Sequence, residues 1–391
     1  MPWNDATNFS LVDGGSTHRL LKRFLREGNR DHLFLKVAGV CALVTWLPLL
    51  LLSIAEGVAW GGKVTIPFLY DVAAFTRFLI ALPLLIIAES VIGPRLAEVA
   101  THFIDSGRIR QSDHRAYEAA VDEAVRLRDS VWAEVAVLVI AYLSTFTSLL
   151  TLALTVPNWR WTATDSAVHF TLGAWWYAGI SIPIFQFVLY RWFLRMFIWS
   201  RFMYRMSRLD LNLKATHPDR AAGIAFVGAN QRFFGIIAFA LGSVFAGIGA
   251  NEILYEGVPL DSFRVPAIAI AVVLVFLIQM PGIFFFSMLR KTKRRGVFVY
   301  GTLALQYTTK FQEKWADGDA PKDEELIGSG DIQSLADLGN SYAVIDDMKI
   351  VPFTLKSSIW LIVAFLAPVL PLQLTAMPID EILDKALRLI T

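Results

Sequence analysis

Residues 33–54 read LFLKVAGVCALVTWLPLLLLSI, and Lys36 is their only charged side chain. A surface helix of a soluble protein keeps one polar face, and this run has none. About 20 mainly apolar residues are what a helix needs to cross the hydrocarbon of a bilayer. Working outward, six more runs of this kind follow, at 72–92, 132–156, 169–190, 233–254, 265–289 and 357–377. No ten-residue stretch alternates in the manner of a barrel strand, and helices are the other way to satisfy backbone polar groups in lipid. The expected fold is all-α: a polytopic transmembrane helical bundle of about seven spans with a cytoplasmic helical layer.

Composition points the same way. Of 391 residues, 55% are hydrophobic and 18% charged, with mean hydropathy +0.51. An average soluble domain carries about 25% charged residues. The net charge of +2 suggests no nucleic-acid partner. A single cysteine, Cys41, lies inside the first apolar run, which excludes an intrachain disulfide and any CxxC site. The first 32 residues are polar and basic without an apolar core, so no cleaved signal peptide is expected and the first span serves as the anchor.

The basic residues are sorted by loop. Six lie before and at the first span, six between the second and third, eight between the fourth and fifth, and ten between the sixth and seventh. The alternate loops hold only Lys63, Arg160 and Arg264. Cytoplasmic loops carry the excess of Lys and Arg, which puts the N-terminus inside. Seven full spans put the C-terminus outside; Pro368 and Pro371 leave a re-entrant last segment with an inside tail as the alternative.

This organises the chain into a cytoplasmic segment 1–32 and spans one to six over 33–290, with cytoplasmic helices at 94–131 and 191–232. A cytoplasmic helical segment follows at 291–356, then the last span or re-entrant segment and an amphipathic tail at 357–391. Gly107 stops the first cytoplasmic helix and Ser112 reads as an N-cap. No Gly or Pro interrupts 113–132, which predicts one helix rising unbroken into the third span. In 291–356 a polar turn at 317–322 separates two helical parts. No internal repeat is visible.

Candidate functional residues are those that polarity makes unusual in a span. Arg77 reads as an anion contact or ion-pair partner facing a cavity, or as an arginine snorkelling to the outer headgroups. Glu89 lies on the same helix, about 120° round from it, and Glu134 begins the third span; both read as partners of arginines such as Arg95 or Arg128, or as ion ligands. Ser144, Ser148, Thr151 and Thr155 form one stripe on the third span, either lining a water path or bonding helices together. Gln186 and Gln279 sit near Pro183 and Pro281, where an amide can satisfy a freed carbonyl or help coordinate a cation. Gly242, Ala246 and Ala250 form a small-residue face suited to helix packing or an oligomer contact. Arg290, Lys291, Lys293, Arg294 and Arg295 fit the lipid headgroup level. No catalytic constellation, metal-ligand set or cofactor motif is present, so neither enzyme activity nor a cofactor is expected.

Several phrases outside the spans stand out: Leu127-Arg128-Asp129-Ser130, His217-Pro218-Asp219-Arg220-Ala221-Ala222-Gly223, Lys314-Trp315, Asp331 to Leu338, Val351-Pro352-Phe353, and Pro368 to Leu372. Together they resemble a family of uncharacterised bacterial multi-pass inner-membrane proteins. The resemblance implies a bacterial inner (cytoplasmic) membrane setting and brings no activity, ligand or residue role. Polar stripe, kinked spans and small-residue face together predict an oligomeric channel or transporter for a small solute or ion. The alternative is a non-transporting scaffold or sensor that docks a cytoplasmic or membrane partner. Beyond the lipid bilayer, the expected partners are a second copy of the chain, in a homo-oligomer joined through the fifth span or the tail, and a cytoplasmic protein.

Overall fold

A computed structural model describes residues 10, 14, 30–150, 156–164, 167–318, 321 and 325–375. Six helices in it are long and apolar enough to cross a membrane. They are α1 (Arg30–Ala55), α2 (Val72–Asp105), α4 (Val131–Leu150), α5 (Leu172–Met206), α6 (Gly235–Glu256) and α7 (Arg264–Ile283). The chain is thus a multi-pass integral membrane protein built as an all-α bundle. One end, the hairpin end, carries the 57–70 loop and a small antiparallel pair, β1 (Trp161–Thr164) and β2 (Ala167–Phe170). The other, basic end carries α3 (His114–Arg128), α8 (Phe286–Phe311) and α9 (Gly330–Asp346).

α6 is the axis of the bundle. Most of its apolar window is buried, 61% against 17–44% for the other five. Glycine makes this possible: Gly228, Gly235, Gly242 and Gly249 recur every seventh residue, two helical turns, and so line one face. Each faces the segment 352–372. Gly228 meets the Pro352–Phe353 backbone and Gly235 the Trp360 indole; Gly242 meets the Phe365 carbonyl and Pro368, and Gly249 the Leu372 side chain. No Cβ fits at Gly228 or Gly242 without displacing backbone.

That contact resolves the seventh run. Its helix α10 (Leu355–Leu366) has only 12 residues, about 18 Å, and is too short to cross alone. A turn at 367–371 follows and then α11 (Leu372–Thr375). Pro368 and Pro371 lack the N–H groups a continuing helix needs. Yet the segment runs on beside α6 from Gly235 to Gly249, about 21 Å at 1.5 Å per residue. The seventh run is therefore a broken helix and not one continuous span. The tail 376–391 lies outside the described residues, as do Thr151 and Thr155 and nearly all of 1–32.

Three other expectations are corrected. The unbroken helix over 113–132 is two helices, α3 and α4, parted at Asp129-Ser130. No Gly or Pro is required, because Ser130 restarts the chain: its Oγ accepts from Ala133 N (3.3 Å), and Arg128 clamps the Asp129 carboxylate (2.7 Å). Ser112 does not cap α3; it lies in a 3-10 turn, Gln111–Asp113. The fourth span starts at Leu172 rather than 169, since His169 is on β2 and Thr171 Oγ1 caps the helix by accepting from Ala174 N (3.0 Å). Gly107 does end α2, at φ +66°.

The quoted phrases outside the spans are joints. Asp331 Oδ2 accepts from Lys314 Nζ and Trp315 Nε1, both 2.9 Å, which fastens α9 to the end of α8 and holds the carboxyl below its usual range. In the His217–Gly223 loop, Arg220 and Ala222 both adopt φ +55°, a left-handed conformation that costs side-chain-bearing residues on the order of 1 kcal/mol each. Asp219 holds them there: its carboxylate accepts from the N–H groups of Ala221 (2.9 Å), Gly223 (3.0 Å) and Ala225 (3.0 Å). Burial alone would raise the Asp219 carboxyl, but those bonds and His217 outweigh it and hold it below 3.8. Asp219→Ala strands three donors and is expected to remove about 1–3 kcal/mol, read as a lower unfolding temperature in detergent. The carboxylate's contribution should be complete above 3.8 and fade as pH falls through the lowered value. An Asp219→Ala variant with wild-type melting and pH response would refute this account.

Candidate functional site

Two of the spans share a construction. α2 opens with four α-helical residues, widens into a π turn at Thr76–Ala81, and resumes with Pro83 in its next turn. α5 is built alike, with five α-helical residues, a π turn at Tyr177–Ser181 and Pro183 after it. Each starts on a side chain that accepts from the residue three on: Asp71 from Ala74, Thr171 from Ala174. The matching positions are one hundred residues apart, an internal repeat of structure that the side chains do not advertise. Proline supplies a local cause, because its missing N–H breaks the α-helical ladder and a wide turn takes up the slack. The carbonyl freed by Pro183, that of Gly179, accepts instead from Tyr142 Oη (3.1 Å).

The two wide turns face each other. Arg77, from the first, donates through Nη1 to the hydroxyl of Tyr177, from the second, at 2.6 Å. A second partner of that tyrosine is Arg160, whose guanidinium carbon lies 5.4 Å from the ring centroid. Arg160 is aimed by Asn158, whose Oδ1 accepts from its Nε (3.2 Å). Around these groups lies a cavity of about 260 Å³ between the hairpin-end halves of α2, α4 and α5, with Val244 of α6 at the back. Thr145, Ser148 and Gln186 complete its polar wall; Phe170, Ile182 and Phe185 are among its apolar lining. Among the described residues neither Arg77 nor Arg160 has a carboxylate partner.

A rigid cap supports the site from the hairpin end. Asp71, 5% exposed, accepts from Trp159 Nε1 (2.7 Å) and Asn251 Nδ2 (2.7 Å). Asn251 Oδ1 returns the contact by accepting from Val72 N (3.0 Å). Trp159 is fully buried against Phe68 and Tyr177, so the residue before Arg160 is fixed in place. Beneath the cavity, Gln186 Oε1 accepts from Thr145 Oγ1 (2.7 Å) and Ser144 Oγ (2.9 Å), and Ser144 accepts from Tyr190 Oη (3.0 Å). The hydroxyl stripe therefore divides. Ser148 faces the cavity, and Ser144 ties α4 to α5.

Glu89 belongs to a second polar cluster nearer the basic end. Its Oε2 accepts from Arg195 Nη2 (2.9 Å); Arg195 Nη1 lies 2.7 Å from Oε1 but off the hydrogen-bonding axis. Arg191 approaches the same carboxylate at 3.9 Å, and Glu134 is in electrostatic reach of Arg191. So Glu89 pairs with arginines of α5, not with Arg95, which pairs with Glu98 (3.1 Å), while Arg128 serves Asp129. Gln279 is elsewhere again, donating to Ser358 Oγ (3.1 Å) on α10. Gly242, Ala246 and Ala250 are buried inside the protomer, so the face expected at an oligomer contact is occupied by the chain's own 352–372 segment and α2. Of the cluster Arg290, Lys291, Lys293, Arg294 and Arg295, at the start of α8, Lys293 donates to the Asp346 carbonyl (2.6 Å).

Of the candidates, the structure thus joins Arg77, Ser148 and Gln186 in one cavity. Arg160, Tyr177 and Thr145 were not singled out by the sequence. Arg160 carried one usable signal, as the lone cation of a neutral loop with an aromatic before it. Comparison of the chain with protein-family models, with curated proteins and with solved structures found no match in any of the three.

Proposed function

We propose that the protein is a carrier for a small anionic solute, bound in the cavity at the hairpin end. One observation carries the reading: two guanidinium groups, from α2 and from the turn before β1, both contact Tyr177 beside a polar recess, with no carboxylate partner among the described residues. A cation at membrane depth is costly unless paired, and an anion in the recess supplies the pair. About 260 Å³ is room for a solute the size of several waters, such as a small carboxylate or phosphate-sized ion. Below it Gln186, Ser144, Thr145 and Tyr190 bond to one another across α4 and α5, which closes the path and favours a carrier over an open channel. The test is counterflow in proteoliposomes with a panel of small anions. Exchange of anions and not of matched neutral solutes is expected; no exchange of any anion would end the proposal.

The distribution of basic residues supports an inner-membrane setting with the basic end and the N-terminus cytoplasmic. A cysteine at Asp261, exposed in the α6–α7 loop, should then label from outside intact cells, and one at Asp319 only after permeabilisation. The reverse pattern would invert the topology and the site with it.

A second reading, a scaffold that docks a partner or a further copy of the chain, is favoured by one feature. α8 leaves Phe298 and Leu305 66% and 67% exposed at the basic end, outside the six spans.

A further inference from the structure

A second, larger recess has no part in the anion site. It is a groove of about 1210 Å³ between α6 and α10, floored by Leu84 of α2. It follows α10 from Pro352 to Ala367, so its length is close to that of the helix, about 18 Å. Its walls are apolar: Ile236 and Phe239 on one side, Trp360 and Val363 on the other. Its polar groups gather at the basic end, where Arg232 and Lys356 flank the mouth.

The charge at that mouth is unbalanced. The guanidinium groups of Arg95 and Arg232 each lie 5.0 Å from the ring centroid of Phe233. Arg95 has Glu98 as counter-ion at 3.1 Å. Arg232 and Lys356 have no carboxylate partner among the described residues, and both are exposed. An apolar trough ending in two free cations is amphipathic along its length. It matches a molecule with a negative headgroup and a long apolar tail.

We propose that this groove is a binding site for one anionic phospholipid, with the phosphate between Arg232 and Lys356 and an acyl chain lying along Ile236, Phe239 and Trp360. The two parts of the site do different work. The walls take any acyl chain, because dispersion and exclusion of water do not read headgroups. The two cations select the headgroup, each favouring an anionic lipid about fivefold. The glycine seam helps set the shape: a Cβ at Gly235 would lie 3.0 Å from Trp360 Nε1, so the indole would have to shift by a few tenths of an ångström.

The test is native mass spectrometry of the full chain released from detergent with equal amounts of phosphatidylglycerol and phosphatidylcholine of matched chains. One phosphatidylglycerol per protomer is expected to remain, favoured about 25-fold for two cations. Arg232→Gln with Lys356→Gln should bring the preference to near unity. Ala364→Trp, which fills the trough and leaves the cations alone, should expel both lipids; a monodisperse elution profile checks that each variant is folded. Equal retention of the two lipids by the unaltered protein would overturn the proposal, as would an undiminished preference in the double variant. Displacement of the lipid by millimolar inorganic phosphate would make this a free-anion site instead. A rise in lipid binding after removal of residues 376–391 would make the chain's own tail the occupant.

Discussion

Glu89→Ala is expected to cost about 3–5 kcal/mol, enough to lose the folded protein on extraction into detergent. The carboxylate is 5% exposed and faces Arg195, also 5% exposed, with Arg191 beside them. Removing it leaves buried positive charge without its partner, and the penalty is that of an uncompensated ion rather than of one lost bond. Arg191 keeps Glu134 in reach, so Arg195 bears most of the loss. The distinguishing control is Glu89→Leu combined with Arg195→Met, which removes both charges and should recover most of the stability. Thermal unfolding of the three proteins in one detergent checks this. A Glu89→Ala protein as stable as the unaltered chain would show that the cluster does not hold the bundle together.

Arg77→Gln should lower anion exchange about 10- to 100-fold, the range expected for losing one charge-assisted bond of 1.5–3 kcal/mol. Arg77→Lys keeps the charge and loses the planar fork, so it should retain part of the activity. Tyr177→Phe removes the hydroxyl that orients Arg77 while preserving the ring on which Arg160 stacks, and its effect should be smaller. Arg77→Gln with Arg160→Gln should abolish exchange. Exchange by that double variant at the wild-type rate and KM would rule out the cavity as the solute site. Because Arg77 lies at the cavity rather than in the packed core, elution and melting of these proteins should stay close to wild type.

The sequence and the structure part company at identifiable places. Hydropathy located all six spans because lipid-facing surface must be apolar along the entire crossing. Boundaries failed where a side chain replaces the expected punctuation, as Ser130 does between α3 and α4. The seventh run was legible as apolar and as proline-broken. That it packs as a broken segment along α6 depends on the glycine seam, which has meaning only once its partner is known. Arg77 was visible as a charge in a span, but its surroundings come from residues far along the chain, such as Tyr177 one hundred positions away. Arg195 is likewise 106 positions from Glu89, and nothing local marks it as the partner in place of Arg95. The wide turns at Thr76–Ala81 and Tyr177–Ser181 had only their prolines as signal, and proline more often marks a simple kink.

Those two turns also bear on what the chain can gain or lose. A π turn is an α-helix carrying one extra residue, looped outward so that the helix on either side keeps its phase. Deleting a single residue within 76–81 would heal the helix without rotating Glu89 away from Arg195 below it. A deletion within 177–181 would likewise leave Trp192 and Arg195 in register. What disappears in each case is the outward bulge that presents Arg77 or Tyr177 to the cavity. One codon at each position thus separates the proposed solute site from the bundle that carries it, and a lineage could acquire or discard the cavity without redesigning its packing.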